Sequence, residues 1–280
     1  DISPPFVLPT NVPEHRLVPA EREITVHDIL THTSGIASGG LGSAISEDAI
    51  MWLDTRTSLA TNVPKYGDIV LDFQPGDRWR YSAATALDVI ARIIEIESGL
   101  SFNEFVQQRI FEPLGMNNTW WNVPEEYQDR LIDIVGSDTA TPPNSAIYDT
   151  SHSTYFGASY GLKSTAGDYL LFEQMLVNGG ELFGNRLLQP QTVELMSSNQ
   201  VGDLFNAMPG VSDQGFGYTV ATTEESNERR SKGAFGWGGA LGTRSWSDPA
   251  EELTGVIMIQ QPVPQVQRDF ENAVHQAIMD

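Results

Sequence analysis

Apolar positions along the 280-residue chain follow helical spacing through the middle and shift to strand-like spacing near residue 215. Before the first helical stretch, residues 1–23 are broken by prolines and carry no period, which reads as an extended lead-in. Thr25-Val26-His27-Asp28 then has the form of a capping box, in which a threonine oxygen and an aspartate carboxylate satisfy orphan amides at a helix start; Gly35 is placed to end that helix. A loop rich in glycine and serine follows over 35–46, where backbone can come close to a neighbour. Between about residues 83 and 98, Leu87, Ile90 and Ile94 together with Val89, Ile93 and Ile96 form a broad stripe that predicts a core-facing helix stopped by Gly99. Ser101-Phe102-Asn103-Glu104 is a second capping box, opening a helix that Pro113 is expected to close. Residues 117–158, with Trp120, Trp121 and the Pro142-Pro143 pair, give weak signals and read as loops with short helices. Thr165 to Asp168 caps a further helix to about Val177, ended at Gly179-Gly180, and Pro190 suits the first turn of one more.

The later stretches 216–223, 240–247 and 253–261 are rich in β-branched and aromatic residues and predict strands, with Asp248-Pro249 turning the last two into a hairpin. Helical spacing returns over 269–279 through Phe270, Val274 and Ile278. Helices in the middle and an antiparallel sheet late, closed by a terminal helix, predict an α+β fold rather than an alternating βαβ one. The expected division is a sheet domain of 1–30 and 160–280 and a mostly helical domain over 31–159.

Charge narrows the partners. There are 37 acidic against 16 basic side chains, a net charge of −21. A field of that sign repels nucleic acid and anionic lipid, which bind chiefly through Lys and Arg. It suits a soluble acidic enzyme, or one from a saline habitat. The longest apolar runs, such as 256–259, fall far short of the ~20 residues a membrane span needs, so none is expected. The absence of cysteine removes thiol nucleophiles and thiolate metal sites. The first residues have neither a starting Met nor a signal-peptide layout, so Asp1 reads as an internal point of a longer chain.

Several motifs could carry chemistry. Gly157-Ala158-Ser159-Tyr160-Gly161 has the G-x-S-x-G spacing of a nucleophile elbow, and Asp248 and His275 follow in the required order. An elbow needs a strand running straight into a helix, yet the next capped helix starts only at about Thr165; a tight turn entering a strand is the better reading. His27 and His32 are five residues apart and no H-E-x-x-H occurs, so no metal site is expected. The carboxylate pairs Glu125-Glu126 and Glu251-Glu252 read as solvated surface.

Longer segments carry a family resemblance. The runs Ile24 to Gly35, Gln74-Pro-Gly-Asp-Arg-Trp-Arg-Tyr-Ser82 and Arg109-Ile-Phe-Glu-Pro-Leu-Gly-Met116 resemble the serine β-lactamase-like family of class C β-lactamases, penicillin-binding-protein homologues and family VIII carboxylesterases. Ser164 to Asp168, Asn178-Gly-Gly, Arg186 to Pro190 and Phe235-Gly-Trp-Gly-Gly239 extend the match over nearly the whole chain. The resemblance implies a β-lactamase/transpeptidase-like fold and acyl transfer through a serine in an S-x-x-K motif, with the lysine and a tyrosine moving its proton. Tyr81 stands at the family's tyrosine position, with Ser82 and Ala83 beside it as substrate-binding positions. Trp237, Gly238 and Gly239 stand where the family's strand motif lines the acyl pocket, and the Ala240 N–H stands as oxyanion-hole donor. Taken alone, a tyrosine at a helix start also suits packing and a Gly-Gly pair also marks a bulge.

Three departures shape the functional expectation. Ala83 replaces the family's asparagine and Trp237 replaces its cation, removing two polar handles for a β-lactam and favouring a neutral ester, as in the family VIII esterase branch. The third is larger: Lys65, Lys163 and Lys232 are preceded at three residues by Asn62, Tyr160 and Arg229, so S-x-x-K is absent. The expectation is a carboxylesterase acting on a small-molecule ester, whose nucleophile lies upstream of Asp1, with no metal or organic cofactor. A β-lactamase or D-amino-peptidase acting on amides, a non-catalytic binding protein that lost its nucleophile, and a different nucleophile are the alternatives.

Overall fold

A computed structural model describes residues 14–46, 57–83, 85–132 and 152–279, so residues 1–13 of the lead-in and the Pro142-Pro143 pair lie outside the described residues. The chain divides into two compact units, Asp1–Phe105 with Asn144–Gly161, and Val106–Pro143 with Leu162–Asp280.

In the first unit the capping box forms as expected at α1 (Val26–Leu30). The Thr25 hydroxyl accepts the Asp28 N–H and the Asp28 carboxylate accepts the Thr25 N–H. Two further bonds, at 2.6 and 2.7 Å, come from the Arg22 guanidinium. The helix ends at Thr31 rather than Gly35, because His32 turns the chain with φ 57°. Gly35 serves elsewhere, lying so close to Phe73 that a Cβ would strike its carbonyl. The Gly/Ser loop leads into α2 (Leu41–Ile45) and is pinned by one carboxylate: Asp72 accepts from the amides and hydroxyls of both Ser38 and Ser43. Against burial, those Ser43 and Ser38 bonds hold the Asp72 pKa below the usual carboxylate range.

A short α3 (Leu59–Asn62) and a 3₁₀ turn (Val63–Asp68) precede the long helix α4 (Ala86–Ser98), which Gly99 ends in the left-handed conformation at φ 72°. The isoleucine stripe faces the core only in part. The buried side of α4 is Ala86, Asp88 and Ala91, whereas Ile93 and Ile96 are exposed. Leu59 and Tyr155 pack with Ala91 in one buried cluster. A second cluster gathers Ile36, Ala37, Tyr66 and Ile69.

The Ser101/Glu104 capping box opens α5 (Phe102–Val106), with Ser101 N–H donating to Glu104 and Glu104 N–H to Ser101. The helix widens at Gln107–Phe111 and continues as α6 (Glu112–Leu114), so Pro113 lies inside its last turn rather than closing it. A widened turn tolerates a residue that lacks an N–H.

In the second unit Thr165 caps α7 (Ala166–Val177), as the pattern predicts. A hairpin the pattern missed follows: β1 (Glu181–Leu182) and β2 (Asn185–Arg186) join through Phe183 and Gly184, both at positive φ, the requirement of a type I′ turn. Helix α8 (Pro190–Ser197) begins at its proline. Then come β3 (Gln214–Phe216), β4 (Ala221–Thr223), β5 (Phe235–Gly238), β6 (Arg244–Asp248) and β7 (Leu253–Ile257), paired antiparallel in chain order, and α9 (Pro264–Met279).

The late strands differ in detail from expectation. The 216–223 stretch is two strands, because Thr219 at φ 67° reverses the chain between them. The strand expected over 240–247 begins only at Arg244, as β6, since 240–243 form a turn, and the last stops at Ile257. The terminal helix starts at Pro264, ahead of its expected start at 269.

Alternation along β5 and β6 gives the sheet two faces. Under α7, Ser247 Oγ donates to Glu173 at 2.7 Å; on the other face Trp246 meets Phe270 of α9 edge-on at 5.7 Å between ring centroids. The Trp246 indole fits because its partner on β7 is Gly255, where a Cβ would overlap the ring; its partner on β5 is Gly236, where a Cβ would strike the Ser245 carbonyl. The result is the α+β architecture expected. Among the described residues, no helix is long and apolar enough to cross a membrane.

Candidate active site

Tyr81 is carried on an extended stretch beside residues 32–33. The Gly76 N–H donates to the Thr33 carbonyl at 2.8 Å and the Arg80 N–H to the His32 carbonyl at 3.0 Å. The Ser82 N–H donates to His32 Nδ1 at 3.3 Å. The His32 ring lies edge-on to the Tyr81 ring, 4.7 Å between centroids, and edge-on to Trp79 at 6.0 Å; Trp79 and Tyr81 stack at 6.4 Å. His32 is 2% exposed and burial pushes its pKa down to about 4, whereas Tyr81 is 41% exposed. A buried imidazole thus supports an accessible phenol.

The two neighbours have local duties. Ser82 is buried; its Oγ accepts the Ala86 N–H at 3.4 Å and lies 3.3 Å from Thr85 Oγ1, tying the tyrosine segment to the start of α4. Ala83 is half-buried. One turn along α4, the fully buried Asp88 accepts the Tyr155 hydroxyl, the Ala158 N–H at 2.7 Å and the Ser159 N–H at 3.1 Å, while Tyr155 and Tyr66 hydroxyls lie 3.1 Å apart. Burial raises the Asp88 pKa, with these bonds pulling back, and burial lifts Tyr66 to about 12.

That network explains the G-x-S-x-G segment. Residues 158–160 form a bend whose amides clamp onto Asp88; no strand runs through it into a helix, and the next helix begins at Ala166. Asp248 accepts the Ala250 N–H of its own turn and the N–H of the distant Ser231, and His275 lies on α9. Among the described residues no three or more His, Asp or Glu side chains gather as metal ligands would.

In the second unit the Trp237-Gly238-Gly239 segment ends β5. Trp237 pairs with Ser245 and Gly238 with Arg244 in regular register, so the glycines mark the end of the strand and not a bulge. The Gly239 N–H donates to the Thr243 carbonyl at 2.8 Å and the Gly242 N–H to the Gly239 carbonyl at 3.0 Å, closing a tight turn. Ala240 is exposed within that turn, outside the strand ladder in which its amide was expected. The Trp237 ring is held edge-on by Phe216 at 5.3 Å, and Phe205 packs on Phe216 at 5.2 Å.

Residue types alone did not single out His32 or Asp88. A signal for the buried acids existed: Asp28, Asp88 and Asp168 each follow a threonine by three residues, and all three are buried. The adjacent pairs Glu125-Glu126 and Glu251-Glu252 are exposed.

The fold and these segments define a β-lactamase/transpeptidase-like protein. The Beta-lactamase family model matches residues 8–278, and the chain belongs to that family. It is 31% identical over 272 residues to the uncharacterized protein MT1414 of Mycobacterium tuberculosis (strain CDC 1551 / Oshkosh), covering 89% of this chain and 65% of that protein. It is 27% identical to the lovastatin esterase of Penicillium rubens, covering 88% of this chain and 66% of the esterase. The chain therefore spans about two thirds of the length of these curated relatives. Among solved structures, Simvastatin Synthase (LovD) from Aspergillus terreus shares the fold, with a TM-score of 0.72 at 22% identity over 94% of this chain and 71% of LovD.

Proposed function

We propose that this chain is the larger part of a serine hydrolase that cleaves carboxylic esters through an acyl-serine intermediate. The observation that carries the ester reading is Trp237: an indole, held by Phe216, occupies the strand position at which a cation would face a ligand carboxylate. Ala83 likewise offers no amide to such a ligand. A neutral ester suits those two positions; a charged β-lactam does not. The lovastatin esterase relative supports the same choice.

In this reading a serine in an S-x-x-K arrangement is supplied by polypeptide outside the 280 residues, since none of the three lysines follows a serine at that spacing. As the Ser Oγ–acyl carbon bond forms, the Tyr81 hydroxyl accepts the serine proton and passes its own to the uncharged amine of the S-x-x-K lysine. Tyr81 then gives its proton to the departing alkoxide and takes one back from that lysine as the ester C–O bond breaks. Water then repeats the sequence on the acyl-serine, releasing the acid. The Ala240 N–H donates to the oxyanion in both steps, while Ser82, Ala83, Trp237, Gly238 and Gly239 border the acyl group.

The test uses the protein extended to its relatives' length. Hydrolysis of p-nitrophenyl butyrate with little or no turnover of a chromogenic cephalosporin is the expected outcome; rapid cephalosporin turnover without ester cleavage overturns the proposal in favour of amide chemistry. An uninterrupted reading frame that lacks S-x-x-K upstream would instead favour the non-catalytic binding protein.

A further inference from the structure

We infer that His32 is the positioning residue for the Tyr81 phenol, holding the 79–82 segment through its ring face and through a hydrogen bond accepted at Nδ1. The inference rests on the role proposed above for Tyr81. Four consecutive residues meet this one histidine. Trp79 and Tyr81 lie edge-on to its ring, Arg80 donates its N–H to the His32 carbonyl, and Ser82 donates its N–H to Nδ1. Ser82 in turn accepts the Ala86 N–H, so the same contacts tie the phenol to the start of α4.

The chemistry at Nδ1 is restrictive. A ring nitrogen that accepts must be unprotonated, which puts the proton on Nε2; an imidazolium would aim an N–H at the Ser82 N–H. Burial keeps the ring neutral, with its pKa down at about 4. The backbone narrows the replacements as well: His32 adopts φ 57°, a left-handed conformation uncommon outside glycine, asparagine, aspartate and histidine. Packing alone does not explain a ring that is 2% exposed, conformationally unusual and spent as an acceptor on the residue next to the phenol.

Two substitutions separate positioning from space-filling. In His32→Asn the side-chain oxygen can stand where Nδ1 stood, and asparagine tolerates a left-handed backbone. In His32→Leu the volume is largely kept and the acceptor is lost. With p-nitrophenyl butyrate, His32→Leu is expected to lower kcat by about 10- to 100-fold with KM changed less than about threefold, and His32→Asn to bring kcat back within about threefold of the parent. The proposal is overturned if folded His32→Leu keeps the parental kcat, or if folded His32→Asn is as slow as the leucine variant. Should the leucine variant not fold, His32→Gly, which accepts the same φ without an acceptor, replaces it in that comparison. Tyr81→Phe is the control: if it is inactive while His32→Leu is not, only this inference falls. If Tyr81→Phe is fully active, the proposed role of Tyr81 falls with it.

Discussion

His32 shows how burial turns a titratable side chain into a fixed acceptor, and that leaves a trace in stability. Its folded pKa of about 4 lies below the ordinary value of 6.5, so the unfolded chain takes up the proton first as pH falls. The stabilisation is therefore complete above about pH 6.5 and is lost progressively down to about pH 4, an effect on the order of 3 kcal/mol. Other buried acids act on the same curve. Asp72, held below its usual range, adds to the loss at lower pH; Asp88 and Glu173, raised by burial, oppose it. Subtracting the urea-unfolding free energy of His32→Asn from that of the parent at each pH removes these common contributions. The difference is expected to shrink as pH falls from 6.5 to 4; a difference flat across that window contradicts the buried, neutral imidazole.

At the scale of elements, the best-read features are those set within one turn of chain. The Thr25/Asp28 and Ser101/Glu104 boxes form as spaced, and α4 stops at Gly99, because capping needs only residues three or four apart. What escaped depends on distant contacts. α1 stops early because His32 is claimed by residues 79–82, and the α4 stripe is turned partly outward because Leu59 and Tyr155 claim Ala91. The 216–223 stretch has strand residues throughout, yet the Tyr218 N–H donates to Met196 and Thr219 turns left-handed, which splits it. In the candidate site, Tyr81 and Trp237 were legible only through family resemblance. The brace behind Tyr81 was not, since nothing in the spacing of His32 predicts a partner 50 residues on.

The Trp246 slot is a test at this scale. Gly255→Ala would push a methyl into the indole, and overpacking of this kind is expected to cost about 1–3 kcal/mol. A lowered urea midpoint with little change in the slope is the expected result; an unchanged midpoint contradicts the close packing of β6 on β7.

For the whole molecule, the acid excess of the sequence does not show up, among the described residues, as a cluster of three or more acidic or histidine side chains. Several carboxylates instead fasten segments: Asp28 takes Arg22, Asp72 pins the 35–46 loop, and Glu271 of α9 takes Arg230 at 3.0 Å and Arg244 at 2.9 Å. The residues proposed for chemistry are by contrast few, and none is a carboxylate: a phenol, a main-chain amide and an apolar surround.

Tyr81→Phe changes one oxygen on an exposed ring and leaves the His32 and Trp79 ring contacts available, so it probes chemistry more than folding. In the protein extended to its relatives' length, with far-UV circular dichroism matching the parent, kcat for p-nitrophenyl butyrate is expected to fall by about 100- to 10,000-fold. A folded Tyr81→Phe protein that hydrolyses the ester at the parental rate contradicts the account.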